Sequence, residues 1–210
     1  MKALDYDQWS RKEIYEFFKE SDFPYYSLTF RQDVTKLVDF KRKYKLSFYY
    51  AFIYLISKAI NDVDAFKVFE DNKELYICDM RYPSFTDIRK NTDNFYIVTM
   101  QSLYEDIFTF CAEASKLSKE QKTFIDLSKE SEFRIDISCA PTLDITSATN
   151  ERFLKDTISS VPKIIFGKYS DDGDRKILGL SIEVNHKYID GIHIAKFADK
   201  LSELIENLEI

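Results

Sequence analysis

The chain has 210 residues, 45% of them hydrophobic and 16% aromatic, enough apolar surface for a substantial core without disulfide or metal staples. A formal net charge of -6 argues against nucleic acid as a main partner, since phosphate binding needs a surplus of Lys and Arg on one face. Cys78, Cys111 and Cys139 are widely spaced, with no Cys-x-x-Cys or Cys/His cluster, so they read as buried thiols and not as a zinc or redox site.

No apolar run reaches membrane-spanning length and the first residues lack a secretory apolar stretch, so a cytoplasmic protein with no membrane partner is expected. With neither a flexible linker nor a low-complexity segment, residues 1–210 read as a single domain. A short helix is expected over 5–20, and a second over 33–44, opened by Asp33 at a capping position. Residues 48–61 place Phe52, Leu55, Ile56, Ala59 and Ile60 at helical spacing, apolar enough for a largely buried core helix. Strand signals follow at 66–69, 74–79, 82–87 and 94–100, with a turn at Asp71-Asn72, and read as a meander. A helix is expected over 103–117, then a charged surface excursion over 118–132. Strands are expected at 133–138 and 144–148. Residues 164–169 and 176–184, joined through Asp171-Asp172-Gly173-Asp174, give a strong hairpin signal.

The hairpin ends on Asn185-His186-Lys187-Tyr188-Ile189-Asp190-Gly191, ahead of a helix with Ile194, Phe197, Ala198, Leu201, Leu204 and Ile205 at helical spacing. A histidine and an aspartate thus occupy a strand-to-helix connection, where scaffolds tend to present reactive groups. His186, Asp190 and His193 have ligand-like types, but Gly191 breaks a common helical face and a divalent ion wants further ligands, so no metal is expected. His193 reads as a side chain filling the first turn of the last helix.

Residues 185–191 resemble the His-His-x-x-x-Asp-Gly signature of chloramphenicol acetyltransferases and of the catalytic domains of dihydrolipoyl acyltransferases, whose second His is the base. His186, Asp190 and Gly191 match, and Asn185 replaces the first His. Four other stretches resemble the chloramphenicol enzymes. Trp9-Ser10-Arg11-Lys12-Glu13 is similar to their Trp-x-Arg-(Arg or Lys)-Glu opening, and Phe48-Tyr49-Tyr50-Ala51-Phe52-Ile53 to a helix start. Pro83-Ser84-Phe85-Thr86, with Phe95 downstream, matches a sheet segment, and Ser138-Cys139-Ala140-Pro141 with Thr146-Ser147 the stretch ending in an oxyanion-stabilising serine. Phe166-Gly167-Lys168-Tyr169 through Gly173-Asp174-Arg175 continues without a gap to His186.

The resemblance implies an α/β two-layer sandwich, helices on a mainly antiparallel mixed sheet, assembled as a homotrimer with active sites between subunits. It implies acetyl transfer from acetyl-CoA, as co-substrate and not as a bound cofactor, to a hydroxyl of chloramphenicol or of another small alcohol or sugar; a noncatalytic binding homologue that kept the fold is the alternative, and the intact His186, Ser147, Asp190 and Arg11 weigh against it. A hydroxyl is a poor nucleophile at neutral pH, and a neutral imidazole that takes its proton as the bond forms makes the attack practicable. His186 is implied as that base, Ser147 as the donor to the tetrahedral oxyanion, and Asp190 and Arg11 as the pair fixing the loop. Phe18, Tyr26, Phe95, Lys163 and Ile165 are implied to line the acceptor pocket, with Lys168 and Tyr169 at the acetyl-CoA. Ile165 stands where the family has a threonine, and Lys163 where it has an apolar residue.

Overall fold

The computed structural model describes residues 1–153 and 155–209. The main sheet is built on its longest strand, β10 (Arg175–Asn185), whose residues 177–185 are all buried. Both faces of a strand are buried only when each has its own cover. On one face Leu178, Leu180, Ile182 and Val184 enter the helical core, and on the other Gly179, Ser181, Glu183 and Asn185 lie under a loop.

The sheet runs β2-β10-β8-β7-β5-β6, with β9 (Ser170–Asp172) beside β10. β2 (Tyr25–Asp33), β8 (Lys163–Gly167) and β9 pair β10 antiparallel, β7 (Arg134–Ala140) runs parallel to β8 and to β5 (Tyr82–Ile88), and β6 (Phe95–Thr99) closes the edge antiparallel to β5. Helices α2 (Thr35–Tyr44), α3 (Phe48–Asn61), α4 (Ile107–Glu120) and α5 (Gly191–Glu206) form the other layer, with α3 between α4 and α5. The expected two-layer sandwich on a mostly antiparallel mixed sheet is therefore present. α3 is buried nearly all round, as its composition predicts, and Ser47 caps it by accepting from the Tyr50 N–H. α5 shows the opposite pattern, a single stripe of Ile194, Phe197, Leu201 and Ile205 facing the core.

Several local expectations need correction. The first helix is only α1 (Lys12–Phe18), preceded by β1 (Lys2–Ala3). Phe66 lies in a 3-10 turn ahead of β3 (Val68–Asp71), and the expected meander is divided between two sheets. β3 and β4 (Glu74–Ile77) join β1 in a small sheet, while β5 and β6 enter the main one. The turn between β3 and β4 falls at Asn72 and Lys73, both with positive φ, as a two-residue hairpin demands. β2 was not foreseen. Residues 144–148 form no strand, because they pair with no neighbour and lie instead across β10. Of the cysteines, Cys78 and Cys111 are buried and Cys139 is half-buried.

Two polar features, one fully buried and one half-buried, help hold the elements in place. Arg81, fully enclosed, donates to the carbonyl of Phe66, to Glu132 O at 3.0 Å and to Ser160 Oγ at 2.7 Å, tying the small sheet to the start of β7 and to the β7–β8 connection. Burial pulls its pKa down to about 10, still well above neutrality. Asp33 accepts from Thr35 N at 2.9 Å and from Thr35 Oγ1 at 2.6 Å, opening α2 directly off the end of β2.

Gly179 marks a close approach of the β7–β8 connection to the sheet: a Cβ there would overlap the Ile145 carbonyl oxygen, which is backbone and cannot rotate away. Gly179→Ala should therefore destabilise the protein by about 1–3 kcal/mol. For a chain of this size that is a fall in Tm of roughly 2–12 °C, measurable by calorimetry. An unchanged Tm would show that the connection is not seated on β10.

Candidate active site

β10 runs straight into the segment that carries the histidine. The ladder continues one step past its end, where His186 N donates to Pro24 O at 2.7 Å, and the chain then turns, with Tyr188 N and Ile189 N both donating to Asn185 O at 3.1 Å. Asn185 is buried and spends its whole amide on this turn and its surroundings. Its Oδ1 accepts from Lys187 N at 3.0 Å, and its Nδ2 donates to Thr157 O and Ser159 O, each at 3.1 Å.

Arg11, at the start of α1 and 6% exposed, closes the turn from the other side. Its Nε donates to Lys187 O at 3.1 Å and one terminal nitrogen to His186 O at 2.6 Å, while the guanidinium grips both oxygens of Asp190, one of them at 2.7 Å. A planar fork that meets a carboxylate bidentately fixes direction as well as distance. The guanidinium holds the Asp190 carboxyl below its usual range, chiefly through these hydrogen bonds. Asp190 is the residue before α5, and the carboxylate that holds Arg11 also belongs to a capping box with His193. His193 closes the other half of the box: its Nδ1 accepts the Asp190 N–H at 3.0 Å. That is the structural part expected of it.

The His186 ring lies between Phe18, the last residue of α1, and Tyr26 of β2, with centroid separations of 4.0 and 4.4 Å. Its side chain is 33% exposed and Nε2 approaches Asp190 Oδ1 to 3.1 Å. Burial lowers its pKa below the usual imidazole value and the Arg11 cation adds to that, while Asp190 opposes both; the net shift is downward. At neutral pH the ring is uncharged and able to accept a proton.

Beneath the turn lies a second polar group that sequence reasoning missed. Glu70 of β3 accepts from Tyr15 Oη at 2.9 Å and Tyr188 Oη at 3.3 Å, with the buried Lys187 Nζ at 3.9 Å. Two tyrosines and a lysine around one acid, all distant in sequence, leave no local signal. The sole tryptophan, Trp9, packs on Tyr15 with a centroid separation of 5.8 Å and lines a hollow of about 850 Å³ behind the Arg11–Asp190 pair.

The remaining site residues do not join this group within the chain. Ser147, exposed, precedes Ala148, whose carbonyl accepts from Ser181 Oγ at 2.7 Å on the sheet face away from the helices. Ser181 is five residues before His186 on an extended strand, a separation of about 17 Å. Ile165 and Lys163 share that face, being paired with Ser181 and Glu183, and Lys163 Nζ donates to Glu151 O at 2.6 Å. Phe95 lies on the edge strand β6, packed on Phe124 at 5.4 Å. Lys168 and Tyr169 line a cavity of about 390 Å³ where β7 and β8 end near the start of α3, with Phe48, Tyr49, Cys139 and Phe166. His186, Phe18, Tyr26, Arg11 and Asp190 thus form one cluster, while Ser147, Lys163 and Ile165 share the other face of the sheet.

A family model described as chloramphenicol acetyltransferase matches residues 1–202. Chloramphenicol acetyltransferase 3 of Escherichia coli is 30% identical over 204 residues, covering 96% of this chain and 95% of that protein. The chloramphenicol acetyltransferase of Bacillus pumilus is 27% identical, covering 99% and 94%. Among solved structures, a chloramphenicol acetyltransferase superposes with a TM-score of 0.85 at 21% identity, covering 98% of this chain and 100% of that one. A dihydrolipoamide acetyltransferase of Azotobacter vinelandii superposes with a TM-score of 0.70 at 16% identity, covering 93% and 86%, and shares the fold. With the family match running over nearly its whole length, the chain belongs to the chloramphenicol acetyltransferase family and is an acyltransferase.

Proposed function

We propose that the protein transfers the acetyl group of acetyl-CoA to a hydroxyl of chloramphenicol, with His186 as general base, and so gives resistance to that antibiotic in the cytoplasm. The observation that carries this reading is the Arg11–Asp190 lock on a segment presenting an uncharged, one-third exposed imidazole. The acceptor oxygen attacks the thioester carbonyl carbon as its proton passes to His186, forming an O–C bond and a tetrahedral oxyanion to which Ser147 donates. Collapse breaks the C–S bond, and the imidazolium returns the proton to the sulfur of CoA. Arg11 and Asp190 touch neither substrate and act as positioning residues.

The site is completed between copies in a homotrimer of single-domain chains. One copy supplies His186 with Phe18 and Tyr26, and its neighbour supplies Ser147, Lys163, Ile165 and Phe95 to the acceptor pocket. This arrangement is supported by the opposite sheet faces that the two groups occupy, and by large apolar side chains left exposed near His186, among them Phe17 at 75% and Ile192 at 61%. Lys168 and Tyr169 hold acetyl-CoA at the cavity beside the start of α3. A second reading, another small alcohol or a sugar as acceptor, is favoured by Ile165, which brings no hydroxyl, and by the charge of Lys163. A screen of acceptors at fixed acetyl-CoA, read by release of free thiol, separates the two.

His186→Ala should leave less than about a tenth of the turnover with acetyl-CoA affinity near normal, since a general base contributes about 100-fold or more in rate and little to ground-state cofactor binding. Ser147→Ala should cost on the order of 100-fold in kcat. Turnover above these levels would remove the corresponding assignment. The pH profile of kcat/KM gives a check with a definite sign. Activity should be on its plateau at pH 7 and fall only as pH drops through a value below about 6.5, because His186 titrates below its usual range. Arg11→Gln removes a cation that helps hold that value down and leaves the Asp190 carboxylate beside the ring, so the acid limb should move to higher pH; a limb that stays or moves down contradicts the assignment. Light scattering should give a mass of three chains, and a monomer at micromolar concentration would exclude a shared site.

A further inference from the structure

Among its described residues the β7–β8 connection that carries Ser147 has no strand partner, and β10 holds it instead. Ile145 sits on Gly179, Ala148 O accepts from Ser181 Oγ, and Asn150 N donates to Glu183 Oε2 at 3.2 Å, so successive outward positions of one strand anchor successive points of the loop. Glu183 does most. Its Oε1 accepts from Arg152 Nε at 2.7 Å, and its Oε2 accepts from Ser27 Oγ at 3.2 Å as well as from Asn150. Arg152 in turn donates to Val161 O at 3.0 Å and lies over the Tyr25 ring at 4.1 Å.

The side chains of Arg152 and Glu183 are 4% and 5% exposed. A buried ion pair gains little stability over a well-packed apolar pair, because desolvation offsets most of the attraction. Fixed direction is what it supplies, and here that direction is given to the backbone just after Ser147. A hydroxyl that stabilises an oxyanion works only if its donor is already aimed, and a misplacement of about 1 Å can cost 100-fold.

We propose that Glu183 and Arg152 are positioning residues for the reaction: the pair clamps residues 150–152 to β10 and so holds the Ser147 hydroxyl in register with the oxyanion. The proposal rests on the reading of Ser147 as the oxyanion donor. Glu183 has a second consequence through its place in the strand. It lies three residues before His186, so the strand that delivers the base in one copy also sets the aim of the oxyanion donor that this copy offers to its neighbour.

The test is a kinetic cycle. Glu183→Gln keeps an acceptor for Asn150 N and removes the charge facing Arg152, and Glu183→Gln with Arg152→Met removes both charges so that none is left buried alone. Thermal unfolding and light scattering establish that each variant is folded and assembled as the wild type is. Either variant should lower kcat about tenfold with the KM for acetyl-CoA changed less than about twofold, and should change kcat less than about twofold when Ser147 is already Ala. An equal loss in both backgrounds would mark a general structural role and overturn the proposal, as would unchanged kcat in both Glu183 variants. Wild-type turnover in Ser147→Ala alone would remove the oxyanion reading and the proposal with it, an outcome recognisable before Glu183 is altered.

Discussion

Strand β10 is the constraint on which the rest of the molecule depends, because it is buried on both faces and each face does a different task. Its helix-side residues, Leu178, Leu180, Ile182 and Val184, are at most 1% exposed and commit the strand to the core, while Gly179, Ser181, Glu183 and Asn185 hold the long connection on the other side. In a strand the side-chain period is two, so a slip of one residue would place Glu183 in the apolar core and leave the connection without its anchors. Both kinds of burial thus specify the same register, which fixes where His186 emerges.

The Arg11–Asp190 pair completes what the strand begins. β10 sets the position of the His186 backbone and Asn185 holds the turn after it from one side, while the guanidinium secures it from the other by binding the carbonyls of His186 and Lys187 together with Asp190. Burial does most to lower the imidazole pKa and the same cation adds to it, so one residue contributes to both geometry and protonation state. Asp190 also takes part in the capping box that opens α5, in which His193 Nδ1 accepts the Asp190 N–H.

Much of the fold was legible from local pattern, and the failures have physical reasons. α3, α5 and the β8–β10 hairpin came through because each carries a sustained apolar period or a turn residue with one acceptable geometry, such as Gly173 at φ 64°. β2 was missed because an edge strand mixes Ser, Thr, Arg and Gln among its apolar residues, and only pairing with β10 makes it a strand. Residues 144–148 have strand-forming composition, but the approach at Gly179 places them across the sheet and not within it. At the site, nothing in spacing joins Arg11 to Asp190. Family resemblance alone linked them, and the structure brings them together. Glu183 was visible as a lone charge between Ile182 and Val184 and went unread, because its partner Arg152 lies in a connection with no periodic signal.

Trp9 has a consequence for how the molecule can be observed. It is the only indole in the chain, and it lies half-buried against Tyr15 at the edge of the core, two residues ahead of Arg11. Its emission therefore reports on the docking of the N-terminal segment over the His186 turn and against the edge of the core. A partial opening that frees Arg11 while the sheet stays intact would change tryptophan fluorescence and leave far-ultraviolet circular dichroism nearly unaltered, so the two signals together separate loss of the catalytic geometry from loss of the fold.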